Sequence, residues 1–182
     1  MRIIVHVLFA LTLAASPVRA ADAECPRHLP RGIQASADLR QHMQRMLERS
    51  ATFRQQCQRL DVPDLSVYIR LDMQLLDKPY RAQTTITRTL NGRVVASVTI
   101  TAFGDPTEWL AHELEHVIEQ LDDVRIRQRV AAGDGGIWEV VDGMFETARA
   151  VHAGRVVRQE VHDTARTVAR MAKTMDAGRG DD

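Results

Sequence analysis

Apolar positions along the chain change period several times, and each change marks an element. From Ser36 to about Leu60, Leu39, Met43, Met46, Leu47 and Phe53 recur at helical spacing, which predicts one amphipathic helix with the methionines as core filler. Asp61-Val62-Pro63-Asp64 ends it. Leu65 to Met73 then alternates, with Val67, Ile69 and Leu71 on one side, and reads as a strand. Tyr80–Leu90 and Arg93–Phe103 are β-rich runs joined by Asn91-Gly92, the preferred pair for a two-residue type I′ hairpin turn.

Gly104 closes the second run, and a helix signal follows at once. Asp105 is a good N-cap, Pro106 suits the first helical position, and Glu108 completes a capping-box spacing. Leu110, Leu114, Val117 and Leu121 form its apolar stripe. A short helix is expected around Val124 to Ala131. The cluster Gly133-Asp134-Gly135-Gly136 is expected to be a mobile connection and lacks the pattern of a phosphate loop. From Ile137 to about Met175 the pattern predicts a long helical segment with a break or kink at Gly154, and residues from about 177 onward form a frayed tail. A last sheet strand that feeds a histidine-bearing helix gives an α+β class with a small antiparallel sheet, and that strand, if it is an edge, could hold an extended peptide by strand addition.

Chemistry concentrates in His112-Glu113-Leu114-Glu115-His116. Two histidines four apart on a helix project from one face and can grip one metal ion, and the glutamate after the first sits beside the remaining coordination position. This is the His-Glu-x-x-His arrangement of zinc hydrolases. Trp109, one turn earlier, is placed to wall the site.

A catalytic zinc usually has three protein ligands. Glu119 and Asp122 occupy the places of the glycine and third histidine of the extended metzincin pattern, which argues against that branch. Glu139 and Glu146 are the alternatives. Seven residues apart on one helix, they cannot both reach one ion. Glu146 is favoured because it lies deeper in the expected helix, whereas Glu139 adjoins the glycine-rich loop. For an oxyanion donor the choice is open among His152, His162, Tyr80 and an arginine. Asp142 and Asp123 are possible acceptors for the outer N–H of the histidines. Arg125-Ile126-Arg127-Gln128-Arg129 reads as a solvated helix face, with an acidic substrate as the alternative.

Leu110-Ala111-His112-Glu113-Leu114-Glu115-His116, with the later Phe145-Glu146-Thr147-Ala148, resembles the two helices of gluzincin-type zincin metallopeptidases. It is particularly similar to small exported bacterial proteins that carry a Leu-Ala-His-Glu-Leu-x-His helix and a later aromatic-Glu-Thr helix. The resemblance covers roughly residues 93 to 160. It implies a zincin-like fold, one Zn2+ on His112, His116 and Glu146, and Glu113 as general base. Glu115 departs from the pattern, since that position is usually uncharged, and on an ideal helix it turns away from His112 toward solvent.

The chain has 182 residues, with 24 basic and 24 acidic. Met1 to Ala20 reads as a signal peptide, with Arg2, an apolar run from Ile3 to Ala15, and small Ala20 at the cleavage position. That run is shorter than the ~20 residues of a membrane span, so no stable membrane insertion is expected after cleavage. Residues 21–182 then form a single domain in a secreted or periplasmic bacterial protein. Its near-neutral charge gives no reason to expect nucleic acid. Cys25 and Cys57, an even pair in an exported chain, are expected to form one disulfide. The function expected is that of an exported zinc-dependent metallopeptidase acting on a peptide or protein substrate, and the alternative is a non-catalytic, zinc-stabilised envelope binding module. Oligomeric state is not readable.

Overall fold

The computed structural model describes residues 28–141 and 143–177, with side chains described through residue 173. The expected signal peptide, Cys25 of the expected disulfide, Asp142 and the tail beyond 177 lie outside the described residues. Within them the fold is mixed α+β: β1 (Ile33–Gln34), α1 (Ala37–Arg49), α2 (Ala51–Leu60), β2 (Leu65–Asp72), β3 (Ala82–Arg88), β4 (Val94–Thr101), α3 (Thr107–Leu121), α4 (Ile126–Ala131), β5 (Ile137–Val141), β6 (Met144–Thr147) and α5 (Ala148–Ala177). A 3-10 turn, Met73–Asp77, follows β2. No described helix is long and apolar enough to cross a membrane.

The single N-terminal helix expected from the apolar pattern is two helices. Ser50 leaves helical geometry at φ −121° and ψ 121°, and its hydroxyl accepts from the Phe53 N–H, so it starts α2 as it ends α1. Buried Ser50 also donates to Glu160 of α5, which supplies the polar partner that its burial requires.

Strand order in the main sheet is β1-β2-β4-β3. A small antiparallel sheet was expected, but only β3 and β4 pair antiparallel; β1–β2 and β2–β4 are parallel. The chain crosses to the edge for β3 and returns for β4, which therefore runs with β2 in the interior. That position explains the near-continuous burial of β4 and corrects its expected place at the edge: the edges are β1 and β3. The hairpin turn also differs. Gly92 donates to the Thr89 carbonyl and has φ +84°, whereas Asn91 is not in the left-handed region. The turn is a three-residue loop with left-handed glycine last, rather than a type I′ pair.

Val67, Ile69, Ala96, Val98 and Ile100 meet Met43, Met46, Phe53 and Leu60 in one core, and α3 contributes Leu110, Leu114, Val117 and Ile118. Leu71, expected inward with Val67 and Ile69, is 45% exposed. Cys57 is buried within this core, and burial pushes its thiol up to about 12.

The long C-terminal helix expected from Ile137 begins only at Ala148. A second antiparallel hairpin, β5–β6, precedes it. Val140-Val141-(142)-Gly143 is the signal for it: β-branched residues followed by a glycine at φ +74°. Gly154 does not break α5. A Cβ there would stand 2.8 Å from the Glu108 carbonyl oxygen and 3.2 Å from the His112 Cβ, so its missing side chain lets α5 lie against α3.

Candidate metal centre

At the start of α3, Pro106 rather than Asp105 takes the N-cap position. Asp105 Oδ1 accepts from the N–H and hydroxyl of Thr107, at 3.0 and 2.6 Å, while Pro106 occupies the entry. Glu108 does not close a capping box; it reaches Arg158 of α5 at 2.6 Å. At the other end Asp123, at φ 55°, takes the left-handed position as Val124 N–H bonds back to the Glu119 carbonyl. That role, and its exposure, remove Asp123 as a partner for the histidines.

Between these ends α3 is buried around most of its circumference, including His112, Glu113, Glu115 and Glu119. Helical spacing puts the two imidazoles side by side, with ring centroids 5.0 Å apart. Trp109 stands edge-on to His112, with ring centroids 6.4 Å apart. Glu146, from β6, closes the group: Oε2 is 3.1 Å from His112 Nε2, and Oε1 is 3.4 Å from His116 Nε2. Glu139 is not among them, since its carboxylate is turned to the Gly143 N–H.

One donor atom each from His112, His116 and Glu146 lies within 4.8 Å of the others, an arrangement able to hold a metal ion. Donors around a tetrahedral ion with bonds near 2.1 Å stand roughly 3.4 Å apart, so only small adjustments separate this arrangement from coordination. Two imidazoles and a carboxylate also match the donor chemistry of that ion.

Electrostatics within the group are strongly coupled. For His116, burial opposes protonation, but hydrogen bonds to Glu119 and Glu146 and the nearby Glu113 charge prevail, holding the imidazole up at about 10. For Glu146, burial favours the neutral acid, yet the two histidines hold the carboxyl down at about 2. Glu113 is buried, and desolvation raises its carboxyl against the opposing His116 charge and the Thr84 hydrogen bond. That bond, 2.6 Å from Thr84 Oγ1, comes from edge strand β3.

Glu119 is the site residue that the sequence reading missed. Its Oε2 accepts from His116 Nδ1 at 2.9 Å, and its Oε1 accepts from Thr147 Oγ1 at 2.7 Å. Nδ1 is thereby committed to the carboxylate, and Nε2 faces Glu146. The available signal was spacing: a carboxylate three residues after the second histidine shares its helix face. Thr147 also caps α5 by accepting from the Ala150 N–H at 3.0 Å, so one threonine sets both the helix start and the Glu119 carboxylate.

Glu115 is not solvated. Its carboxylate meets Arg149 at 2.6 Å and Gln56 Nε2 at 2.6 Å behind the helix, and Arg149 continues to Asp122.

Glu113, His116 and Glu146 line a cleft of about 430 Å³, bounded by β3, α4 and the β5–β6 hairpin. Tyr80 and Arg127 line it too, whereas His152 faces the opposite side of α3 and His162 pairs with Asp105. No residue of α1 or α2 lines the cleft. No family model, characterised protein or solved structure matches the chain.

Proposed function

We propose that the protein is an exported, zinc-dependent metallopeptidase with a zincin-like fold, acting on peptide or protein substrates in the periplasm or outside the cell. The observation that carries this reading is the convergence of His112, His116 and Glu146, with buried Glu113 beside them on an open cleft. His112 Nε2, His116 Nε2 and one Glu146 oxygen would hold the ion. Zinc, when bound, supplies Lewis acidity that makes water acidic near neutral pH and polarises a carbonyl.

The chain's own residues account for the rest. Glu113 takes the proton of the attacking water and hands it to the departing amine, so the water adds as hydroxyl on the carbonyl carbon and hydrogen on nitrogen. Burial raises the Glu113 carboxyl, which suits a group that must both accept and release a proton. Thr84 orients it. Tyr80, which lines the cleft, is a donor from which oxyanion support can come. The antiparallel edge of β3 offers free backbone groups beside Thr84 to an extended chain.

The alternative, a zinc-stabilised binding module without hydrolysis, drew on the charge at Glu115. Arg149 neutralises that charge behind the helix, away from the cleft. Metal analysis by mass spectrometry decides first. About one zinc per native chain is expected, lost in His116→Ala and in Glu146→Ala. Retention in Glu146→Ala would move the third ligand elsewhere. A peptide-library screen should then show hydrolysis by the native protein and none by Glu113→Gln at full zinc content; zinc without hydrolysis by either would favour the module.

A further inference from the structure

Three arginines lie on or beside α4, and their surroundings differ. Arg125 is 3.7 Å from Asp123, and Arg129 is paired with Asp134 at 2.5 Å. Arg127 has no carboxylate partner among the described residues. Its guanidinium instead lies over the Phe145 ring, 5.9 Å from the centroid, at the wall of the cleft that holds Glu113 and Glu146. Stacking on an aromatic face restricts the side chain yet leaves its in-plane N–H groups available for bidentate contact with a carboxylate. Among the described residues Arg127 is the only arginine or lysine lining this cleft, which also holds His116 and the two site glutamates.

We infer that Arg127 selects the ligand of the cleft, which takes peptides bearing a carboxylate beside an apolar residue. The inference rests on the peptidase reading for the nature of the ligand as a peptide. Phe145, Met144, Val140 and Ile86 line the same cleft as Arg127, and they suit the side chain next to the carboxylate. The carboxylate has two possible sources, an acidic side chain or the C-terminus of the peptide.

Calorimetric binding to Glu113→Gln protein with zinc in the buffer separates them, using alanine-rich pentapeptides with one Leu. The arms are Glu against Gln next to Leu in amidated peptides, and a free against an amidated C-terminus. A preference of about tenfold or more for the carboxylate form in one arm is expected, as for a charge-assisted hydrogen bond. Arg127→Gln should erase it without changing affinity for the neutral peptide, and Arg129→Gln should leave it intact. No preference in either arm, or one that survives Arg127→Gln, overturns the inference. Hydrolysis by the native protein is scored separately. Preference without hydrolysis supports the role of Arg127 and defeats the peptidase reading; hydrolysis without preference does the reverse.

Discussion

Glu119 shows how much of a site is made by residues that would never touch its metal. It is 2% exposed, fully hydrogen-bonded, and fixes which nitrogen of His116 faces the ligand position. Glu119→Ala should therefore weaken zinc binding by about 10–100-fold, the usual range for an outer partner of a metal-bound histidine. Competition with a chromogenic chelator at neutral pH measures this; unchanged affinity would make Glu119 merely structural. At this scale His112, Glu113, His116 and Glu146 were legible because donor chemistry and helical spacing constrain them locally. Glu119 carried a local signal, three residues after His116, that was missed; Thr147 and Thr84 were not legible, because their partners lie 28 and 29 residues away and only the fold brings them near.

At the scale of elements, the close approach of α3 and α5 carries His112. Gly154 leaves no room for a Cβ between the Glu108 carbonyl and His112. Gly154→Ala would gain helix propensity but must force the two helices apart, at a cost of about 1–3 kcal/mol. Urea unfolding should show this loss together with weaker zinc retention; a more stable protein would mean the helices yield easily. Sequence periodicity found α3 and most helical residues, since an amphipathic stripe is a local signal. It ran α1 and α2 together, because Ser50 interrupts the helix without interrupting the apolar spacing. It also read β5–β6 as helix. There Trp138, Val140 and Val141 remain at least 41% exposed, so the hairpin has no buried alternating face to announce it.

For the whole molecule, the ligand group links metal, proton and stability. His116 is held at about 10 against an ordinary 6.5, so its contribution is complete below about pH 6.5 and is lost as pH rises through 10. Glu146 is held at about 2 against 4.5, so its contribution is complete above 4.5 and is lost as pH falls through 2. The metal-free protein should be most stable between these limits and should weaken toward alkaline pH. Zinc must displace the proton on His116, so its stabilising effect should grow as pH rises. Urea midpoints at about pH 6 and pH 9, with zinc and with chelator, test the sign; a metal-free midpoint that rises with pH would contradict it. The position of Glu146 has one more consequence. It is anchored from behind, by Thr147 on Glu119 and by the start of α5, while the hairpin tip at Gly143 forms part of the cleft wall. Donor and wall are thus separately adjustable. Lineages could lengthen the tip and remodel what enters while the metal stays put, and two residues grafted there should leave zinc stoichiometry unchanged.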